Sequence, residues 1–133
     1  MGSSIIRNAA AGLQAQQTRL NVTASNTANL NSVGPLDPSQ RTIGTPAEAL
    51  SPTAQAVPGG GVTAGATLST PPTVPRPDPG STFANADGLV GAPNVNPVLT
   101  AQQVVSSVAT YALNADVVQA GDEIARTTVS LRI

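Results

Sequence analysis

The chain has no cysteine, no histidine, no lysine and no tryptophan among its 133 residues. The absence of cysteine excludes disulfide bonds, thiolate nucleophiles and cysteine-bound zinc. The absence of histidine removes the usual general base and the most frequent metal ligand. Aromatic residues make up 2% of the chain and charged residues 10%. Because a chain of this length needs large apolar side chains to build a core, a self-sufficient globular monomer is not expected.

Other functional classes also lack their signals. The net charge is −1 and no basic cluster is present, so the electrostatic footprint of a nucleic-acid-binding protein is missing. No carboxylate spacing matches a calcium loop, and no G-x-S-x-G or P-loop motif occurs. No stretch approaches the roughly 20 apolar residues of a membrane span, and the N-terminus lacks the apolar core of a cleaved signal peptide. We therefore expect no enzyme activity, cofactor, metal, nucleic acid or small-molecule substrate.

Glycine and proline divide the chain into three parts. Of the 24 glycines and prolines, 21 lie in residues 34–97. The composition predicts an N-terminal helix over residues 1–33, a Pro/Gly-rich loop or small β region over residues 34–95, and a C-terminal helix over residues 96–133. The expected fold is mainly α, with the two helices forming an antiparallel coiled coil. The middle is expected to be irregular and extended, with at most short β pieces around residues 61–68 and 86–90.

The N-terminal helix carries a narrow seam at heptad spacing. The seam is poor in bulk and contains polar residues, and the helix is expected to end in an asparagine-rich run before Gly34 and Pro35. Its members, in order along the chain, are Ile6, Ala10, Leu13, Gln17, Leu20, Ala24 and Thr27.

The C-terminal helix begins with a strong signal, because Asn96 suits the cap position and Pro97 the first helical position. Gly121 within this helix should cost about 1 kcal/mol relative to alanine. The helix also carries an apolar stripe at spacings of three and four, broken only where Asp122 falls in it, and formed by Val104, Val108, Tyr111, Ala115, Val118, Ala125 and Val129.

Two interpretations of these helices remain open on periodicity alone. The helices could form a hairpin folded on itself, or a coiled coil whose other faces pack against neighbouring copies. The asparagines near the end of the first helix, together with Asn114, likewise admit two roles: they could supply capping turns, or an amide network that joins subunits.

Two strings of residues resemble the signatures of flagellar axial proteins, the family of rod, hook and hook-associated proteins. The C-terminal string contains residues 93–95, Tyr111, Asn114, Val118, Asp122, Glu123 and Leu131. Residues 86–90, which lead into it, look like those of the short proximal rod proteins. The N-terminal string contains Gly12, Leu13, Ala15, Gln16, residues 19–22, residues 24–26, Ala28 and Asn29.

The resemblance implies a structural subunit of the flagellar proximal rod, located in the periplasm and assembled as a helical tube. It implies export through the flagellar type III apparatus without a cleaved signal, and contacts with further copies, other rod proteins, the membrane ring, the export gate and the distal rod. The alternatives are another axial paralogue, or a non-flagellar helical hairpin whose P-x-x-P segment, with Pro72 and Pro75, binds a partner. We expect the assembly interface to use Leu13, Leu20, Asn26, Asn29, Val108, Tyr111, Asn114 and Val118.

Overall fold

The computed structural model describes residues 2–41 and 48–131. Two long helices, α1 (Gly2–Ala28) and α2 (Pro97–Ser130), lie towards the two ends of the chain. Between them, residues 29–41 and 48–96 form a short 3-10 helix and four strands. These elements are the 3-10 helix Pro38–Gln40, β1 (Leu50–Ala56), β2 (Val62–Leu68), β3 (Thr73–Pro77) and β4 (Leu89–Pro93).

The expected fold class, mainly α with an irregular middle, is wrong. The four strands form two antiparallel sheets of two strands each, β1 with β2 and β3 with β4. Dense proline does not by itself exclude regular strand pairing. The positions of the prolines within the strands remove that objection.

The prolines of β3 occupy positions whose backbone nitrogen is not needed for hydrogen bonding to β4. Gly91 of β4 exchanges two backbone hydrogen bonds with Gly34, at 3.0 and 2.9 Å, so its polar groups point away from β3. Pro75 lies opposite Gly91 in the register and therefore faces away from β4, as does Pro77 two residues later. Val74 and Arg76 supply the ladder donors. Proline at every second residue is thus compatible with an edge strand.

The hairpin of β1 and β2 closes through a run of glycines. Val57 N–H donates to the Gly61 carbonyl at 3.2 Å at the turn, and Ser69 N–H donates to the Ala49 carbonyl at 2.9 Å at the other end. Gly59, Gly60 and Gly61 all have φ between 93° and 96°. Side chains rarely adopt this region, so three consecutive glycines are what the turn requires.

The described residues fall into two compact units. The first comprises Met1–Asn21, Pro52–Gly65 and Gln102–Ile133, and the second comprises Val22–Ser51 and Ala66–Ala101. Ala9 and Ala15 are the buried apolar residues of the first unit, whereas Val22, Ala49, Val90 and Ala92 are those of the second. Val90 is the largest fully buried side chain, so both cores consist of small residues.

Arg41 is the main polar support of the second unit. Its guanidinium donates to the carbonyls of Pro35 and Leu36 at 3.1 and 2.8 Å and to the Thr73 hydroxyl at 2.7 Å. It also pairs with Glu48 at 3.3 Å, and its side chain is only 9% exposed. Because one buried charge satisfies several loop carbonyls, it ties the chain after α1 to β3.

The expected start of α2 is confirmed. The side-chain oxygen of Asn96 accepts hydrogen bonds from the backbone N–H groups of Val98 and Leu99, at 3.0 and 3.2 Å, as a cap residue does. Among the described residues, no helix has both the length and the hydropathy that a membrane span needs.

Candidate assembly interface

Within the first unit, α1 and α2 lie antiparallel and approach each other at two glycines. A methyl group at Gly12 would lie 2.8 Å from the Asn114 side-chain nitrogen, and a methyl group at Gly121 would lie 2.8 Å from Ile6 Cγ1. Both distances are shorter than any ordinary van der Waals contact. The absence of a side chain at these two positions therefore sets the spacing of the helices.

The face that α2 turns to α1 is a line of small or polar residues seven positions apart. Ser107 and Gly121 are buried, and Asn114 between them is half-buried. This line differs from the expected apolar seam of α2, whose largest members are exposed. Periodicity located a stripe of apolar residues correctly but did not show which face packs inside the chain.

Most large apolar side chains of α2 consequently face solvent. Val108 is 53% exposed, Leu113 66% and Ile124 63%. At about 100° per residue, these residues belong to two stripes that flank the small-residue line, and each stripe is centred about 70–80° away from that line. We call them the valine stripe (Val104, Val108, Tyr111, Val118 and Val129) and the leucine stripe (Leu113, Val117 and Ile124).

The remaining face of α2 is the one suited to water. Asp116 and Glu123 project from it, and both are exposed. Val105, which is 71% exposed, lies on the same face nearer the start of α2. Asp122, fourteen residues after Val108, lies instead on the valine stripe, and its exposed i,i+4 ion pair with Arg126 at 2.9 Å contributes little to stability.

The predicted interface residues on α2 lie on or beside these stripes. Val108 and Tyr111 are exposed, the latter by 40%, and Val118 is half-buried within the valine stripe. Asn114 instead lies in the small-residue line and contacts Gly12 of the same chain. Their part in assembly stays a prediction.

On α1 the buried line is shifted by one residue from the expected seam. Ala9, Gln16 and Thr23 are buried at heptad spacing, while Leu13 and Leu20, both predicted interface residues, are only half-buried. Ala9 and Thr23 have small side chains, which let neighbouring backbones approach closely at those two positions. Because they are only half-buried, Leu13 and Leu20 keep part of their surface available to a partner.

Asn26 has a role inside the chain that sequence reasoning missed. Its side-chain nitrogen donates to the Leu50 carbonyl at 2.7 Å, and its side-chain oxygen accepts from Leu50 N–H at 2.9 Å. The amide thus pairs with the outer edge of β1 as another strand would. Asn29, the fourth predicted residue on the N-terminal side, lies just after α1, where its carbonyl accepts from Ser32 N–H at 3.0 Å.

One polar atom in the first unit has no visible partner. The Gln16 side-chain oxygen is buried and accepts no hydrogen bond from any described residue. Buried polar groups are nearly always satisfied, but nothing around Gln16 identifies a ligand.

The described residues contain no group of three or more acidic, histidine or cysteine side chains close enough to hold a metal ion. A cavity of about 520 Å³ lies between residues 36–40 and 83–86, is half-open to solvent, and is lined by Leu36, Asp37, Gln40, Phe83, Ala84, Asn85 and Ala86. Its carboxylate, Asp37, accepts hydrogen bonds from the backbone N–H and hydroxyl of Ser39, which hold its pKa below the usual value.

Comparison with known protein families gives a match over part of the chain. Residues 6–35 match the family model described as "Flagella basal body rod protein". The matched segment includes most of α1 and the four predicted interface residues Leu13, Leu20, Asn26 and Asn29. No curated protein sequence matches the chain. The family match supports a relationship to flagellar basal-body rod proteins, which are structural components of the rod.

Proposed function

We propose that this protein is a structural subunit of the proximal rod of the bacterial flagellar basal body, where it polymerises into a helical tube. Two independent features support the proposal. One is the match of residues 6–35 to the rod family. The other is the surface of α2, whose large apolar residues lie outside while its small residues face α1.

The exposed surface of α2 is the observation that carries the proposal. Full burial of a valine, leucine or isoleucine side chain contributes about 1.5–3 kcal/mol. Val108, Leu113 and Ile124 are each more than half exposed, so a large part of this stabilisation becomes available only when another molecule covers them. A helix with apolar residues around most of its circumference belongs in an interior. The interior here is that of the assembly.

The two stripes suit an open polymer better than a closed dimer. In the proposed arrangement, the valine stripe of one copy packs against the leucine stripe of the next. A contact between two different surfaces repeats from copy to copy, and it generates an open helical polymer when the rotation between copies does not close a ring. Smaller β-branched side chains facing larger Leu and Ile side chains also favour interdigitation.

The exposed charged face completes this arrangement. Asp116 and Glu123 cannot be buried without partners except at a considerable free-energy cost. In a tube whose α2 helices lie side by side, this face remains in contact with water. It is the face available to line a channel that conducts exported subunits, while the packed stripes transmit torque.

The choice of paralogue rests on the C-terminal half. Residues 86–90 and 93–95 resemble those of the rod protein FlgC, and in the fold they form the turn before β4 and the exit from β4. We assign the chain to this position in the proximal rod, and another axial paralogue is the rival. The partners are then other rod proteins, the membrane ring, the export gate and the distal rod.

Export is the remaining part of the proposal. The cores of both units consist of small residues, with Val90 the largest fully buried side chain. A core of this kind supplies little stability. A subunit that unfolds easily suits passage through the flagellar type III apparatus and delivery to the periplasmic rod.

The binding-module alternative is not favoured by the fold. Pro75, the second proline of the P-x-x-P segment, lies in β3 opposite Gly91 of β4. A partner that reads polyproline helices requires a segment free to adopt that conformation. Residues 73–75 of this segment are already paired with β4.

The test uses a strain that lacks this protein and is complemented with variants. Val108→Asp and Leu113→Asp place a charge on the valine and leucine stripes respectively, and we expect both to abolish rods and motility. Val105→Asp introduces the same charge on the water-facing side of α2 and should restore both. Intact rods in the deletion strain, seen by electron microscopy of basal bodies, would reject the function itself.

A further inference from the structure

The β1–β2 hairpin has polar backbone edges whose openness follows from its register. Val57 donates to Gly61 at the turn, and Ser69 donates to Ala49 at the open end of the hairpin. Ala49 and Val57 are eight residues apart, as are Gly61 and Ser69. Neither strand therefore has an extra residue between these two hydrogen bonds, and one register holds along the hairpin. The odd-numbered residues therefore point their N–H and C=O groups into the hairpin. The even-numbered residues of each strand point theirs outwards.

The outer edge of β1 is closed at one end only. The outward groups of Leu50 are taken by the Asn26 side chain, at 2.7 and 2.9 Å. Pro52, the next outward residue, has no N–H to offer. Beyond them, Ala54 and Ala56 are exposed, and their outward groups have no hydrogen-bond partner among the described residues.

The outer edge of β2 carries none of the usual protection. Its seven residues include no proline and no charged side chain. Ala66 and Leu68 are exposed, the latter by 51%. Uncharged edge strands without proline are templates for strand pairing, and soluble proteins normally block them. A two-stranded hairpin also gains stability from a third strand.

We propose that the hairpins of successive copies join edge to edge. The outer edge of β2 then pairs with the distal end of β1, which carries Ala54 and Ala56, in the next copy. The proposal rests on the proposed function, because only an open polymer supplies a neighbour to every hairpin. The result is a continuous antiparallel β ribbon along the assembly, in addition to the contacts of α2.

Within the part of the chain that the structure describes, β3 and β4 are poor partners for β2. β3 points Pro75 and Pro77 outwards, so it offers no donor at either position. β4 has β3 on one side and Gly34 on the other. Pairing of β2 with β2 of a second copy requires a two-fold axis, and this closes the contact after two copies. Pairing of β2 with the distal end of β1 joins two different edges, so the same contact repeats from copy to copy.

The experiment compares proline and valine at two outward, exposed positions of the full-length protein. Ala66→Pro on β2 and Ala54→Pro on β1 remove outward donors without breaking a hydrogen bond within the hairpin. Ala66→Val and Ala54→Val keep those donors. Far-UV circular dichroism and the unfolding midpoint of the free proteins check that each variant folds as the wild type does.

We expect each proline variant to incorporate into basal bodies at least about tenfold less than its valine control, since main-chain hydrogen bonds supply the affinity of an added strand. In wild-type protein, the Ala66 amide should exchange at least about tenfold more slowly after assembly than before it. Equal incorporation of the proline and valine variants would overturn the proposal, as would an unprotected Ala66 amide or a closed β2–β2 dimer. If Val108→Asp still blocks assembly in that case, the ribbon fails while the rod function stands.

Discussion

Substitution of Gly121 by alanine tests the close approach of α1 and α2. In an exposed helix interior this change stabilises a protein by about 1 kcal/mol, because glycine is the poorer helix former. Here the new methyl group would lie 2.8 Å from Ile6 Cγ1 and 3.3 Å from Ile6 Cδ1. Overpacking of this kind costs about 1–3 kcal/mol. The net expectation is a destabilisation of up to about 2 kcal/mol.

The effect should change sign when Ile6 is truncated. In an Ile6→Ala background the obstructing atoms are gone, so Gly121→Ala should raise the free energy of unfolding by up to about 1 kcal/mol. Urea unfolding followed by circular dichroism of the four proteins of this cycle measures both quantities. Gly12→Ala is the comparison, since it meets the rotatable Asn114 amide and should be milder. If Gly121→Ala stabilises the chain with Ile6 in place, the packing of the helix pair is not as described.

Three further changes test the second unit. Asn26→Ala should lower the free energy of unfolding by about 1–3 kcal/mol, because it leaves two backbone groups of Leu50 unpaired; Asn29→Ala is the control, and equal urea midpoints would contradict the account. Arg41→Lys should cost about 2–3 kcal/mol, since an ammonium group cannot replace several guanidinium hydrogen bonds, and a loss below about 1 kcal/mol in urea unfolding would refute it. Asp37 has a lowered pKa in the folded protein, so its contribution to stability is present above its unfolded pKa and is lost as the pH falls through its folded pKa. The stability difference between wild type and Asp37→Asn, measured by thermal unfolding, should therefore shrink below about pH 4. A difference that grows below that pH would contradict the lowered pKa.

Local signals in the sequence predicted the long helices well. Asn96 and Pro97 defined the start of α2 because cap and first-turn preferences act over a few residues and do not depend on tertiary contacts. The strand pairing in the middle of the chain was not predicted, because it depends on contacts between distant residues. Whether proline excludes a strand depends on which side its missing N–H faces, and that is decided by the pairing partner. Pro75 and Pro77 face away from β4, so the strand forms.

The candidate interface was partly visible in the sequence. Heptad and 3-4 spacings revealed the apolar stripe that contains Val108 and Tyr111, but a periodic pattern looks the same whether the stripe is covered by the chain or by a neighbour. Ser107 and Gly121, which form the internal contact, have no hydrophobic signal. The Asn26 contact with Leu50 spans 24 residues, and no local rule pairs an asparagine with a strand edge at that distance.

The central claim is that neighbouring subunits cover the two stripes of α2 and leave its charged face in water. The chain has no cysteine, so Val108→Cys, Leu113→Cys and Val105→Cys each introduce a unique thiol. Labelling by a water-soluble maleimide is then compared between free protein and purified basal bodies. The account predicts that all three thiols react in the free protein and that only the one at position 105 reacts after assembly. Equal labelling of all three in basal bodies would contradict it.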